Sequence, residues 1–125
     1  MFSYIHGIEW RHVKDQPTFG ELWPKIAVIL HGARFFAAHN APFDRGVLNS
    51  CCAVAGVPAP KLPFVCTVRL ARKAWNLRPT KLPDVCRHLG ITLNHHEALS
   101  DASACAKIVL AAAADGAFKE EIKTV

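Results

Sequence analysis

The sequence predicts an α/β fold in which helices predominate and two short strands form a small parallel sheet. Two apolar runs of strand length, residues 34–38 and 63–68, are each followed at once by a helical pattern. Strands that alternate with helices pair in parallel, because a crossover returns the chain to the same end of the sheet. A two-stranded sheet is marginally stable alone. Either the helices supply most of the core, or the chain lacks neighbouring strands.

The bulk properties indicate a single domain over residues 1–125. The chain has 125 residues, of which 51% are hydrophobic, enough for one core. No apolar run approaches the ~20 residues that cross a bilayer, and the N-terminus lacks the pattern of a signal peptide. The five cysteines are an odd number without Cys-x-x-Cys spacing. We therefore expect a cytoplasmic protein with reduced thiols.

The first predicted helix covers residues 18–30. Apolar residues at 19, 22, 23, 26, 29 and 30 have the spacing of one helical face. Thr18 is placed to cap this helix and Gly32 to end it, whereas Pro24 falls in the middle and predicts a kink.

The second predicted helix follows the strand at 34–38 after a tight turn. Asn40 is a suitable N-cap, and Pro42 fits the first turn, where a missing N–H costs nothing. Asp44 falls in that first turn, and Gly56 is expected to end the helix. The predicted core face consists of Phe43, Val47, Leu48, Cys51 and Val54.

Three further helices are predicted after the second strand. The first is led by Thr67 as its N-cap, and a short helix at 81–90 closes at Gly90. The last runs from about 97 to 114, and its small side chains suit close packing. The predicted packing face consists of Ala98, Ala102, Cys105, Val109 and Ala112.

The positive charge of the chain is concentrated in one segment. The formal net charge is +5, and residues 61–87 contain seven basic residues and one acid, Asp84. Clustered cations gain affinity for polyanions by releasing counterions. The segment predicts a nucleic-acid partner or, equally, an ordinary basic surface. The basic residues are Lys61, Arg69, Arg72, Lys73, Arg78, Lys81 and Arg87.

Asp44 and Asp101 are candidate metal ligands because both fall in the first turns of predicted helices. In α/β proteins, ligand groups gather at strand ends and helix N-termini. Two carboxylates that meet there repel unless a hard cation such as Mg²⁺ or Mn²⁺ lies between them. His96, five residues before Asp101, is a candidate base. Alternatively, the aspartates complement helix dipoles and His96 is an exposed loop residue.

Two motifs in this sequence resemble those of a known family. "HNAPFD" at 39–44 and "HEALSDA" at 96–102 resemble the second and third motifs of the DnaQ-like 3′-to-5′ exonucleases, in the DEDDh branch. That branch includes polymerase III epsilon-type proofreading subunits and ribonuclease T. "YIHGI" at 4–8, "FGELWPKI" at 19–26 and "KLPDVCRHLGI" at 81–91 are similar to the segments that surround these motifs.

The resemblance implies a ribonuclease H-like fold and two-metal hydrolysis of phosphodiester bonds at 3′ ends. It makes Asp44 and Asp101 ligands of Mg²⁺ or Mn²⁺, and His96 the base that deprotonates the attacking water. His39, Asn40 and Phe43 would bind substrate. The motifs are shared by proofreading and RNA-trimming relatives, so the choice between DNA and RNA stays open, as does a DNA polymerase partner.

The first motif of the family, Asp-x-Glu, has no counterpart in this sequence. The acids before Asp44 are Glu9, Asp15 and Glu21, and none has that spacing. We expect an N-terminally shortened member, natural or from a misplaced start, that holds the C-terminal two-thirds of the family domain. With ligands for at most one ion, this chain should be inactive alone. The alternatives are a non-catalytic nucleic-acid-binding or scaffold module and a marginally folded product without function.

Overall fold

The structure is a computed structural model that describes residues 9–94 and 97–117. His96 and the segment 4–8, both used in the sequence comparison, lie outside the described residues. No helix within the described ranges is long and apolar enough to span a membrane. The elements in chain order are α1 (Trp10–Val13), α2 (Phe19–Leu30), β1 (Phe36–Ala38), α3 (Ala41–Ala55), β2 (Phe64–Cys66), α4 (Thr67–Trp75), α5 (Leu82–Leu89) and α6 (Ala98–Ala114).

The two strands form a parallel sheet, as predicted. Phe36 pairs with Phe64 and Ala38 with Cys66, and the two phenylalanine rings stack with centroids 4.8 Å apart. Each strand is paired along one edge in the part of the chain that the structure describes. The prediction of a mostly helical chain with a small parallel sheet is confirmed. The finer ribonuclease H-like assignment and the single domain at 1–125 stay predictions.

The core forms where α4 and α5 pack against α6 and where α6 covers β1. Its fully buried side chains include Val65 of β2, Leu70 of α4 and Ile108 of α6. The predicted face of α6 divides in two. Cys105, Val109 and Ala112 are buried in the core, as expected, whereas Ala98 and Ala102 are exposed and line a cavity. The small side chains of the first turns therefore leave space instead of filling it.

Helix α2 begins and ends close to the predicted residues. The Thr18 hydroxyl accepts a hydrogen bond from the Glu21 N–H at 3.2 Å, and the Glu21 carboxylate accepts from the Thr18 N–H at 3.2 Å. This reciprocal capping box satisfies two amide groups that the helix itself leaves without acceptors. No residue of α2 is fully buried, and Val28 and Ile29 are largely exposed. Among the described elements, α2 packs mainly on α3.

The predicted core face of α3 is wrong for three of its five residues. Phe43, Val47 and Val54 are 69%, 48% and 92% exposed. The buried residues are Ala41 and Cys52, with Leu48 packed beside the sheet. These three lie on one stripe of the helix, and α3 contacts both strands. Because α3 packs on both strands, the stripe that carries Ala41, Leu48 and Cys52 is covered, although larger apolar side chains lie on other faces of the helix.

Two predicted caps are also corrected. Asn40 precedes α3 but makes no capping hydrogen bond through its side chain; its backbone instead has φ 71°, in the left-handed region. Thr67 is not an N-cap, because α4 begins at Thr67 itself after Cys66 and the Thr67 side chain is fully buried. Gly56 and Gly90 end α3 and α5 as predicted, both with φ 70°.

The left-handed backbone at Asn40 predicts opposite results for two small substitutions. Asparagine adopts this conformation more readily than most residues, and glycine adopts it without strain. Asn40→Ala should lower the free energy of unfolding by about 1 kcal/mol, whereas Asn40→Gly should be close to neutral. Urea denaturation of both variants measures the difference. Equal destabilisation by alanine and glycine would show that the asparagine side chain, and not the backbone, is what matters.

Burial predicts a similar contrast between two leucines. Leu70 is fully buried between β2 and α6, whereas Leu110 on α6 is 69% exposed. Leu70→Ala should cost about 2–5 kcal/mol because it removes apolar contacts and leaves a cavity. Leu110→Ala should change stability by less than about 0.5 kcal/mol. Thermal unfolding followed by circular dichroism tests this pair, and a loss as large for Leu110→Ala would mean that Leu110 is covered in solution.

Candidate active site

A cavity of about 550 Å³ opens where β1 ends and where α3, α5 and α6 begin. Strand ends and helix starts converge here because each parallel strand feeds directly into a helix. This is the edge at which α/β proteins place their ligands. The lining residues are Ala37, Ala38, His39, Asp44, Lys81, Leu82, Ala98, Asp101, Ala102 and Cys105.

Asp44 enters the cavity from the first turn of α3. The residue remains exposed overall, so its carboxylate lies at the rim of the cavity. Partial desolvation raises the pKa of Asp44, and a hydrogen bond from its own backbone N–H opposes this shift. A carboxylate with a raised pKa gains from a nearby cation, because the cation replaces the solvation that the charge has lost.

Asp101 enters the cavity from the first turn of α6. Its N–H donates to the Glu97 carbonyl at 2.9 Å, which fixes the start of the helix. The residue is half-buried, and its Oδ1 atom is shielded from solvent. Asp101 is therefore the more enclosed of the two carboxylates, and Asp44 the more accessible.

The charges of both carboxylates influence the same group, the Cys105 thiol. Burial raises the pKa of the Cys105 thiol most; a hydrogen bond from the backbone N–H of His39 lowers this pKa, and the charges of Asp44 and Asp101 raise it further. The thiol therefore stays neutral beside the cavity. The fold thus brings together two acids that are distant in sequence. All five cysteines are free thiols, as expected from the sequence.

His39 joins the end of β1 to two other parts of the chain. Its Nε2 lies 2.8 Å from the Thr80 carbonyl and its Nδ1 lies 2.7 Å from Oγ1 of Thr67. A carbonyl oxygen only accepts, so Nε2 carries the proton, and in the neutral ring Nδ1 accepts from the Thr67 hydroxyl. Both hydroxyl-bearing residues are buried. His39 is therefore part of the wall of the cavity and holds it in shape.

The segment before α5 is fixed by further hydrogen bonds. Thr80 Oγ1 donates to the Leu77 carbonyl at 2.7 Å and accepts from Nε of Arg72 at 3.0 Å. The next residue, Lys81, donates its backbone N–H to Asp84 at 2.9 Å. Lys81 thereby reaches the cavity from a backbone that is held on both sides.

The structure brings together part of the predicted site. Asp44, Asp101 and His39 line one cavity. Asn40 and Phe43 are not among its lining residues, and both are exposed. His96 lies outside the described residues; Ala98, two residues further along, lines the cavity.

Sequence reasoning missed Lys81 and Cys105 as residues of this site. Lys81 is one of the seven basic residues and also the first residue of the "KLPDVCRHLGI" segment that resembles the family, but neither observation assigned it to the site. Cys105 lies one helical turn after Asp101, a spacing that puts both on the same face of α6. It had been assigned to the packing face alone.

The donor set of the cavity fits one hard cation. Two carboxylates on one cavity suit Mg²⁺ or Mn²⁺, since Mg²⁺ in proteins is often bound by one or two carboxylates, with waters and substrate phosphates completing its shell. Residues 9–94 and 97–117 contain no group of three or more His, Cys, Asp or Glu side chains that would hold a metal ion.

A second cavity of about 640 Å³ lies between α2 and α3 and is a weaker candidate. Its walls are mostly apolar, from Phe19, Val54 and Ala55, and Glu21 supplies its one carboxylate among the described residues. Glu21 is engaged in the capping box of α2. The cavity at the end of β1 is therefore the candidate active site.

Comparison with known proteins identifies the family of the chain. The sequence model of the RNase_T family, described as "Exonuclease", matches residues 2–109. The chain is 41% identical over 99 residues to a DNA polymerase III PolC-type protein of Clostridium perfringens, covering 78% of this chain and 7% of the relative. It is 30% identical over 114 residues to Exodeoxyribonuclease 10 of Escherichia coli, covering 85% of this chain and 45% of the relative.

The matched region thus spans less than half of the length of these relatives. No solved structure matches the chain at a comparable level. The family match nonetheless includes both motif segments and every residue that lines the cavity. The chain therefore belongs to the RNase_T exonuclease family, the DnaQ-like family that its two sequence motifs resemble.

Proposed function

We propose that this chain forms part of a metal-dependent 3′-to-5′ exonuclease site of the DEDDh branch, which hydrolyses the terminal phosphodiester bond of a single strand. The observation that carries the proposal is the convergence of Asp44 and Asp101 on one cavity from the first turns of two different helices. Neither helix needs its acid to meet the other for stability. Their juxtaposition favours a shared cation.

In the proposed mechanism, Asp44 and Asp101 hold the cation and His96 removes a proton from the attacking water. When bound, the divalent ion supplies charge stabilisation at the phosphoryl group and lowers the pKa of bound water. His96 receives its role from the sequence motif, and an imidazole is suited to accept a proton near neutral pH. Because His39 ties the wall of the cavity together, it positions the two acids. Both ring nitrogens of His39 are engaged within the protein, so we propose this positioning role in place of the direct substrate contact predicted for it.

Asn40 and Phe43 remain proposed substrate contacts outside the cavity wall. Phe43 lies one residue before Asp44 in α3 and presents a largely exposed ring. An exposed aromatic ring beside a phosphate site suits stacking against a nucleobase. Asn40 has an exposed side chain at the same turn. We propose that this turn lies along the path of the strand that enters the cavity.

We propose DNA as the substrate class. The names of the relatives, DNA polymerase III PolC-type and Exodeoxyribonuclease 10, both refer to DNA. The basic residues between 61 and 87 provide sequence-independent affinity for the backbone of either nucleic acid. A polymerase partner is a further proposal that rests on the first of these names.

The carboxylate count limits what residues 1–125 do by themselves. Two divalent ions bring four positive charges, whereas the cavity offers two carboxylates. We expect the 125-residue polypeptide to release little nucleotide in Mg²⁺. A protein extended at its N-terminus by an apolar strand bearing Asp-x-Glu should cleave. A gel of 5′-labelled single-stranded DNA, with and without EDTA, tests both. Robust EDTA-sensitive shortening by the unextended chain would contradict the argument from charge.

The extended protein also tests the individual roles. His96→Ala should slow the chemical step by about 10²- to 10⁴-fold, the usual loss for a general base. Asp44→Asn and Asp101→Asn should each abolish metal-dependent turnover, whereas Asp15→Asn, an exposed acid outside the cavity, should have no effect. Single-turnover kinetics separate the chemical step from binding. Wild-type rates in the His96→Ala protein would show that His96 is not the base. A non-catalytic binding module would show no cleavage in any variant.

Metal binding gives a readout that needs no activity. The unextended chain should bind at most one Mn²⁺ weakly, measured by the loss of the free Mn²⁺ signal in electron paramagnetic resonance. Asp44→Asn and Asp101→Asn should each weaken binding by at least about tenfold, because each removes a charged ligand. Asp15→Asn serves as the matched control for charge. Equal losses in all three variants would indicate diffuse electrostatic attraction and no site.

A further inference from the structure

We propose that Lys81 binds the phosphate group that enters the cavity, a role that rests on the proposed exonuclease function. Lys81 lines the same cavity as Asp44 and Asp101. Among the described residues of that lining, it is the one lysine or arginine. A lysine ammonium is a compact charge on a flexible stem and binds phosphate oxygens without strict geometry. Its position sets it apart from the other basic residues of the 61–87 segment.

The peptide group that precedes the Lys81 side chain is held at both of its polar atoms. Its carbonyl, that of Thr80, accepts a hydrogen bond from His39 Nε2 at 2.8 Å. Its N–H, that of Lys81, donates to Asp84 Oδ2 at 2.9 Å. One of these hydrogen bonds comes from the end of the strand that leads to Asp44, and the other goes to the first turn of α5. The base of the lysine is therefore fixed relative to the carboxylates.

Asp84 is engaged elsewhere and does not neutralise the cavity. Its other oxygen, Oδ1, pairs with the guanidinium of Arg87 one turn along α5. Asp84 is not among the residues that line the cavity. The hydrogen bond to the Lys81 backbone thus orders the start of α5, while the Arg87 pair offsets the charge of Asp84.

The charge balance of the cavity explains why a lysine belongs there. The two carboxylates are balanced by one divalent cation, which leaves the site neutral. Lys81 adds one positive charge, and a phosphodiester carries one negative charge. With Lys81 the cation-loaded cavity is therefore complementary to one phosphate, and without it the attraction falls to that of a neutral site. This charge balance requires one bound cation, and the two acids can hold one.

Lys61 is a matched control because it shares residue type, exposure and segment with Lys81. Both side chains are exposed, but Lys61 lies in the connection before β2 and is not among the residues that line the cavity. If basic residues attract nucleic acid by net charge alone, the two lysines are equivalent. If Lys81 contacts one phosphate, its loss depends on that phosphate being charged.

The test measures binding of a fluorescent single-stranded oligonucleotide to the full chain in Mg²⁺ by anisotropy, over a series of KCl concentrations. The DNA carries either an ordinary 3′-terminal phosphodiester or a neutral methylphosphonate there. Lys81→Met should weaken binding of ordinary DNA by about fivefold, a typical upper value for one exposed charge pair. It should also reduce the slope of log affinity against log salt by about 0.7. Lys81→Arg should retain most of the affinity.

The methylphosphonate DNA distinguishes a contact between Lys81 and one phosphate from general attraction by net charge. With this DNA, the wild-type protein and Lys81→Met should bind equally, whereas the small effect of Lys61→Met should be the same for both DNAs. Equal losses for Lys81→Met with both DNAs, equal losses for the two lysines, or no binding by the wild-type chain would overturn the proposal. Melting curves confirm that each variant is folded.

Cleavage by the extended protein reports separately on the proposed function. If that protein cleaves DNA while Lys81→Met binds and cleaves like the wild type, the role of Lys81 is wrong and the exonuclease function stands. If the extended protein does not cleave, but the loss in Lys81→Met depends on the charged linkage, the phosphate site stands and the exonuclease function is wrong.

Discussion

The two hydrogen bonds of His39 are the constraint on which the rest of the site depends. They join the end of β1 to the buried Thr67 at the start of α4 and to the Thr80 carbonyl before α5. A ring that is held at both nitrogens does not turn to meet a ligand, so its contribution is to geometry. Cys105 of α6 lies against the same group through Thr67. Four elements thus converge on one polar contact inside an otherwise apolar core.

This arrangement places a cavity that contains two carboxylates beside the apolar core. Beneath it, Val65, Leu70 and Ile108 are fully buried and hold the sheet against α6. Around it, the small residues Ala38, Ala98 and Ala102 leave the space that the carboxylates face. Larger side chains at these positions would fill the cavity and extend the core. Alanine allows close helix packing in other parts of the fold, whereas these three alanines leave room for a ligand.

Membership of an exonuclease family and the geometry of the cavity address different questions. The family match covers residues 2–109 and shows the ancestry of the domain. The cavity shows that two acids and a lysine of this chain share one space. The charges of that space suit one divalent cation and one phosphate, which is fewer than two-metal hydrolysis uses. We therefore propose that cleavage by the 125 residues requires further carboxylates, whereas binding of an anion through one cation does not.

The sequence by itself determined the order of the two strands and of helices α2 to α6, the ends of α3 and α5 at glycines, and the N-cap of α2 at Thr18, because these depend on local backbone preferences. It also placed Asp44 and Asp101 in first turns. It did not predict α1. Only the tertiary structure decided which face of α3 is buried, because its contacts with the two strands, and not the spacing of its apolar residues, determine which side chains are covered. It likewise decided that Lys81 belongs with the two acids, since their proximity arises from contacts between segments that local sequence patterns do not relate.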